Sequence, residues 1–381
     1  MPIGPFKSDA PVRVQPFYGF RNAERLFLNA RALRSEPSTF ENRSVLGNIA
    51  TMARQYLSHE VEGLTVELEY TLEDGRSLKE QVVTGPEGYA RFDVSLSGDA
   101  PRPLRTRWER AVVRWHDEDG ETHEATAFIL TPGTQTPLGI ISDIDDTIVE
   151  TGITGSLKMI ARNWKRVMRD MPSERVEVPG AAEFYTALGG DTETPDKPEA
   201  AIKVIEPRAR VRPVFYVSSS PWNLFSYLVT FKRSRGLPLG PVALRDWGFN
   251  RKTLGSEGHG GHKREAIERI LETYPELKFL LMGDDTQKDL VAFGGIAKDH
   301  PGRIAAVFIR KIAEEPLNSD ELAAKAEIEK VGVPFWTGND YREAQDFLRS
   351  AGLELKGDMK TLVRTASEGD KDAETPVEES P

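Results

Sequence analysis

The apolar residues of this chain follow two different grammars. From Phe40 the spacing is helical: Val45, Ile49, Met52 and Tyr56 recur near a 3.6-residue period, with Ala53 and Leu57 widening the stripe, which predicts a packed amphipathic helix. After Gly63 the period drops to two. Leu64, Val66, Leu68 and Tyr70 alternate with Thr65, Glu67 and Glu69, the pattern of a strand buried on one face, and Asp74-Gly75 signals the turn that ends it. "SLKEQVVT", "YARFDVSL", "WERAVVRWHDEDG" and "ETHEATAFIL" continue as short strands at hairpin spacing. Residues 1–134 are therefore expected to form a helix plus a small antiparallel β-sandwich-like domain, with no catalytic cluster in it.

"TPGTQTPLG", residues 131–139, reads as a linker, and the pattern changes beyond it. "LGIISDID", "VRPVFYVSSS", "GPVALRDW", "LKFLLMGDD" and "GRIAAVFIRKI" are apolar runs without alternation, separated by amphipathic stretches. Strands covered on both faces need such runs, so residues 135–350 are expected to form an α/β domain with a mainly parallel sheet. Ligands bind such sheets beyond the carboxyl ends of the strands, where the polar residues that close the runs should converge. The first run delivers Asp143, Asp145 and Thr147, the second Ser218, Ser219 and Ser220, and the fourth Asp284, Asp285 and, further on, Asp289. Lys263 stands at the apparent start of the helix "KREAIERILETY" that leads into the fourth run.

Asp143, Asp145 and Asp146 in a half-buried place would destabilise the fold unless a cation or a proton sat between them. Carboxylates from separated strands make an all-oxygen site, which suits a hard cation such as Mg2+ rather than zinc. With a hydroxyl and an ammonium added, the set fits a phosphoryl group held by metal, lysine and serine. A serine hydrolase would need the G-x-S-x-G elbow, which the serine run lacks. A phosphate loop fails because Lys263 follows His262 rather than glycine. His259 and His262, without a third ligand in register, read as polar loop residues.

Composition narrows the setting. A chain of 381 residues is too long for one ordinary core, and with no cysteine it has neither disulfides nor thiol chemistry. The net charge of -10 counts against nucleic acid as a partner, although much of the excess lies in "SEGDKDAETPVEESP"; residues 351–381 are expected to be a disordered, solvating tail. The first residues lack the apolar core of a signal peptide, and no apolar run approaches the roughly 20 residues needed to span a bilayer, so a cytoplasmic protein is expected.

The order D-x-D-x-T, serine, lysine and "GDDTQKD" resembles the four motifs of haloacid-dehalogenase-superfamily phosphatases. "SDIDDTIVETG", "FYVSSSPWNLF", "GPVALRDWG", the lysine helix and "MGDDTQKD" with "AKDHPGRIAAVFIR" are similar to the catalytic domain of the actin-patch-protein type of phosphatidate phosphatase and its bacterial relatives. The similarity covers roughly residues 15–345; a longer, more polar tract at 189–212 and "GFNRKTLGSEGHGGH" depart from it. The resemblance implies a haloacid-dehalogenase-like Rossmannoid sheet and a Mg2+-dependent hydrolysis of phosphatidate through an aspartyl-phosphate. It implies Asp143 as nucleophile and Asp145 as general acid and base. Asp143, Asp284 and the backbone carbonyl of Asp145 would hold the metal, and Ser218 and Lys263 the phosphoryl oxygens. Thr147, Ser219, Asp285 and Asp289 would support them. The readings left beside this one are a phosphatase of a soluble phosphate ester and a scaffold protein with a vestigial site.

Residues 156–170, "SLKMIARNWKRVMRD", place Leu157, Ile160, Trp164, Val167 and Met168 on one helical face and Lys158, Arg162, Lys165, Arg166 and Arg169 around the rest. Such a helix either packs as a cap on the domain or lies on an anionic lipid surface, giving a peripheral membrane contact. On the lipid reading, changing Lys165, Arg166 and Arg169 to glutamate abolishes sedimentation with phosphatidate-containing vesicles and spares hydrolysis of a soluble phosphate ester; unchanged sedimentation would exclude it.

Overall fold

The computed structural model describes residues 10–34, 59–144, 180–189, 207, 209–222, 225–234, 236–245, 259–285, 288–312 and 315–353. The helix expected from Phe40, the basic segment 156–170 and the acidic tail lie outside the described residues.

Among the described residues nine strands form the first sheet: β1 (Val12–Pro16), β2 (Gly19–Arg21), β3 (Arg25–Arg34), β4 (His59–Glu60), β5 (Thr65–Thr71), β6 (Ser77–Val83), β7 (Tyr89–Ser95), β8 (Arg107–His116) and β9 (Thr122–Thr131). They run in the order β1-β3-β2-β9-β8-β5-β6, with β4 and β7 also paired to β3; β2 and β9 are parallel and the other pairs antiparallel. Period-two patterning sets which side is buried. Val66, Leu68 and Tyr70 of β5 and Val113 and Trp115 of β8 meet Leu26 and Leu28 of β3 and Phe92 and Val94 of β7 in one core. The first three strands precede the alternation that begins at Leu64, and they carry a buried charge. Arg21 is fully buried, because its guanidinium donates to both oxygens of Glu109, at 2.6 and 2.8 Å. Glu109 also accepts from the Thr131 hydroxyl at 2.8 Å and from the Tyr70 hydroxyl, so the charge is paired and its lone pairs are filled.

The second sheet is parallel throughout: β10 (Leu138–Asp143), β11 (Val214–Pro221), β12 (Val242–Arg245), β13 (Lys278–Asp284), β14 (Ile304–Arg310) and β15 (Phe335–Gly338), in the order β12-β11-β10-β13-β14-β15. The protein is thus mixed α/β, with one mainly antiparallel and one parallel sheet. The chain starts the second sheet at β10, builds outward to β12, then returns to β13 on the other side. That reversal makes a crevice at the carboxyl ends of β10 and β13, the usual ligand position in doubly wound sheets. The four-residue β15 is too short to stand out in the sequence.

Helices cover both faces, which is why the strands are apolar throughout. On one face Ile140, Tyr216, Leu280 and Phe308 meet α1 (Ala181–Gly189), α2 (Phe225–Ser234) and α6 (Tyr341–Ser350). On the other, Ile141, Phe215, Leu281 and Val307 meet α3 (His259–Thr273), α4 (Asp289–Asp299) and α5 (Ser319–Lys330).

The two sheets are joined by shared packing. Trp108, Phe128 and Leu130 of the first sheet belong to the α3–α5 core, and the Phe17 ring lies 4.4 Å from that of Trp222 and 4.7 Å from that of Phe225. The Tyr274 hydroxyl donates to the Arg21 carbonyl at 3.0 Å. The stretch expected to be a linker is packed as well, since Thr136 is buried and its hydroxyl donates to the Val211 carbonyl at 2.9 Å.

Lys232 of α2 is fully buried, its amine 3.7 Å from the centroid of the Tyr216 ring and without a hydrogen-bond partner among the described residues. Burial pushes this amine down to about 7. Above that pH the folded chain carries it neutral, while the unfolded chain keeps its proton until about 10.4. Folding therefore releases a proton in this window, and stability rises with pH by at most about 1.4 kcal/mol per pH unit. Lys232→Met is expected to be more stable at pH 7 and to lose this slope between pH 7 and 9.5, measured by urea unfolding; parallel profiles would refute the assignment.

Candidate active site

Asp143 ends β10 and Asp284 ends β13, on either side of the crevice where the strand order reverses. On the neighbouring strand, Val217 is in register with Asp143, so Ser218 lies one residue further toward the carboxyl edge. Asp143, Ser218, Lys263, Asp284 and Asp289 are all fully buried. Lys263 sits a full turn inside α3, which begins at His259, rather than at the helix start. From there its amine lies 2.9 Å from Asp143 Oδ1 and donates to Asp289 Oδ1. Asp289 Oδ2 in turn accepts the backbone N–H of Asp284 at 3.2 Å.

Local backbone geometry aims Asp289 inward. Lys288, just before it, has φ 64, a left-handed conformation that costs a non-glycine residue about 1–2 kcal/mol and persists only where its surroundings impose it. Gly283 leaves the space the carboxylate occupies: a Cβ there would stand 2.5 Å from Asp289 Oδ2 and 2.7 Å from Asp289 Cβ.

Three carboxylates and one ammonium leave this buried cluster with a formal charge of -2. Burial works to lower the Lys263 pKa, but Asp143, Asp289 and Asp284 together outweigh it and the pKa is raised, so the amine stays charged. Oxygens of Asp143, Asp284 and Asp289 lie within 4.8 Å of one another. An all-oxygen set carrying two uncompensated negative charges fits a divalent hard cation. Both oxygens of Asp289 are engaged by Lys263 and the Asp284 amide, so this carboxylate anchors the lysine. Asp143 and Asp284 are the pair carried by the strand ends that face the crevice.

Behind Asp143 the Ser142 hydroxyl donates to the Asp143 carbonyl at 2.5 Å and bonds the Tyr185 hydroxyl. Burial raises the Tyr185 pKa far beyond that of an ordinary phenol; the Ser142 bond opposes this and the Asp143 charge adds to it, so the phenol stays protonated. Tyr341, stacked on Phe184 at 5.0 Å, is raised for related reasons: burial first, then Tyr185, with smaller contributions from Asp284 and Asp143. Neither tyrosine stands out in the sequence, because each sits in an apolar helical stripe and looks like core.

Asp285 turns to structure: its Oδ1 accepts the Ile312 N–H at 2.8 Å, tying the exits of β13 and β14 together. Asp145, Thr147 and the Ser219 side chain lie outside the described residues. The backbone of His259 and His262 belongs to the first turn of α3, which corrects their reading as loop residues.

Residues 138–311 match the family described as phosphatidate phosphatase APP1, catalytic domain. The chain is 30% identical to phosphatidate phosphatase APP1 of Saccharomyces cerevisiae over 189 residues, 49% of this chain and 28% of that protein. It is 22% identical to an uncharacterized protein of Schizosaccharomyces pombe over 179 residues, 47% of this chain and 26% of that protein. The chain thus spans little more than a quarter of the curated relatives it matches. Among solved structures, a β-glucuronidase of Bacteroides uniformis aligns with 89% of this chain and 38% of its own at 10% identity with a TM-score of 0.24, too slight a likeness to bear on the fold.

The space at Gly283 provides a direct test of this packing. Gly283→Ala is expected to lower the unfolding free energy by about 1–3 kcal/mol through overpacking against Asp289, measured by urea unfolding. Unchanged stability would mean that Asp289 does not sit where described.

Proposed function

We propose that this chain is a Mg2+-dependent phosphatidate phosphatase that works through an aspartyl-phosphate. The observation that carries the proposal is a coincidence of extents. The segment matching the phosphatidate phosphatase catalytic domain runs from the first residue of β10 to just past β14, and so contains the strands and the helix that bring Asp143, Ser218, Lys263 and Asp284 together. The strand order, with its crevice between β10 and β13, also suits the haloacid-dehalogenase-like fold read from the motifs.

In this mechanism a carboxylate oxygen of Asp143 attacks phosphorus, forming a new O–P bond as the bond to the glycerol oxygen breaks. Asp145 gives its proton to the departing alkoxide, so diacylglycerol leaves uncharged. The Asp145 carboxylate then takes a proton from water, whose oxygen attacks phosphorus and releases phosphate and Asp143. Lys263, held charged by Asp143 and Asp289, and Ser218 bind the phosphoryl oxygens throughout. Mg2+ bound by Asp143, Asp284 and the backbone carbonyl of Asp145 would neutralise charge on the phosphoryl group and on the nucleophile. Thr147, Ser219, Asp285 and Asp289 support these groups.

Phosphatidate lies in a membrane surface, which the basic stretch 156–170 would contact from one side. Among the described residues no helix is long and apolar enough to cross a bilayer.

The test is phosphate release from phosphatidate in mixed micelles. Wild type is expected to release phosphate with Mg2+ and to stop with EDTA, and Asp143→Asn is expected to lose on the order of a thousandfold or more, as removal of a nucleophile does. Release from a soluble aryl phosphate but not from phosphatidate would keep the chemistry and replace the substrate. No release from either would favour a scaffold role.

A further inference from the structure

A cleft of about 850 Å³ lies between the β3–β7 face of the first sheet and the β12 edge of the second, with α3 along one side. This volume is in the range of small-ligand sites. Its rings come from both halves of the molecule: Phe17, Phe20, Phe27 and Tyr89 from the first, Phe215 and Trp222 from the second.

The cleft neighbours the candidate active site along two elements. Ala266 lines it and lies three residues past Lys263 on α3, about 4.5 Å of helix rise. Trp222 lines it and follows Ser218 by four residues, about 13 Å of extended chain. The lysine and the serine proposed to hold the phosphate thus stand on elements that continue as walls of the cleft. Leu244 brings the carboxyl end of β12 to it as well.

Charge decides the class of ligand. Three arginines in the lining, Arg25, Arg91 and Arg269, stand against four carboxylates, Glu24, Asp93, Glu265 and Glu272. Arg25 is paired with Asp93 at 2.6 Å and lies 5.4 Å over the Phe27 ring, and Arg91 lies 5.4 Å over that of Tyr89. With charges this nearly balanced, a second phosphate or another polyanion gains no net attraction, whereas the partly exposed rings of Phe20, Phe27 and Tyr89 offer contact to an apolar group.

We propose that this cleft receives an acyl chain of the phosphomonoester whose phosphate is held at Asp143, Ser218 and Lys263, an inference that rests on the lipid phosphatase activity proposed above. Burial of acyl methylenes in the cleft strengthens binding by up to about fourfold each. Chain length therefore governs KM, while the phosphate site governs kcat.

The experiment measures KM and kcat of the full chain for monomeric dihexanoyl, dioctanoyl and didecanoyl phosphatidates, with p-nitrophenyl phosphate as the substrate that has no chain. Wild type is expected to show KM falling steeply with chain length. Asn29→Trp, which fills the cleft from β3, should flatten that fall while leaving aryl phosphate hydrolysis unchanged. If Asn29→Trp also loses aryl phosphate hydrolysis, Phe27→Ala, which removes a lining ring without adding bulk, gives the reading. Chain-length dependence that is absent in wild type, or the same in wild type and the variant, overturns the inference. Failure to cleave any phosphatidate while aryl phosphate is still hydrolysed overturns the lipid substrate itself.

Discussion

The ammonium of Lys263 sits where no water reaches it, against Asp143 and Asp289, and the second half of the molecule is arranged around that contact. Three elements must arrive together for it to form: the end of β10 with Asp143, the start of α4 with Asp289 and the interior of α3 with the lysine. Removing one partner of such a group leaves an uncompensated buried charge, which is far more costly than the pair itself is stabilising. The contact therefore fixes relative positions. It also leaves the cluster with two uncompensated negative charges, and this excess, more than any single residue, is the physical reason the crevice fits a divalent cation.

Much of this was legible in the sequence because it rests on periodicity. Unalternating apolar runs gave away the parallel strands from β10 to β14, and of the residues at their ends Asp143, Asp284 and, further on, Asp289 converge, whereas Asp285 turns to the Ile312 amide. The antiparallel strands from β5 to β9 were equally plain from their alternation. What stayed hidden depends on pairing across long distances. β1, β2 and β3 precede the stretch whose period was read, and the buried Arg21 and Arg31 in β2 and β3 are neutralised by Glu109 and Glu60, far along the chain. Tyr185 and Tyr341 looked like core, and they are core; their closeness to Asp143 follows from how α1 and α6 pack, which no local pattern encodes. The helical position of Lys263 differed by a turn, because "SEGHGGH" carries three glycines and reads as loop, yet His259–Thr273 is continuous helix.

Asp289 shows how a supporting residue can be as constrained as the groups it supports. Its carboxylate needs a glycine beside it and a left-handed lysine before it, two departures from ordinary backbone chemistry within six residues. Where local rules are broken without local gain, the compensation lies in the tertiary contact they enable. Here that contact is the anchoring of Lys263.

The packed junction between the sheets bears on how the protein comes apart. Trp108, Phe128 and Leu130 are shared with the core that α3, α4 and α5 close, and the chain between β9 and β10 is pinned to Val211 rather than hanging free. The two halves are consequently poor candidates for independent folding units. A piece trimmed to the segment that resembles the phosphatase family would lose those three side chains from one face, and β15, α5 and α6 with Tyr341 from its far edge. Its exposed apolar surface would favour association over solubility. The stretch that holds the candidate site and the stretch that closes its own apolar core are, in this protein, different lengths of chain.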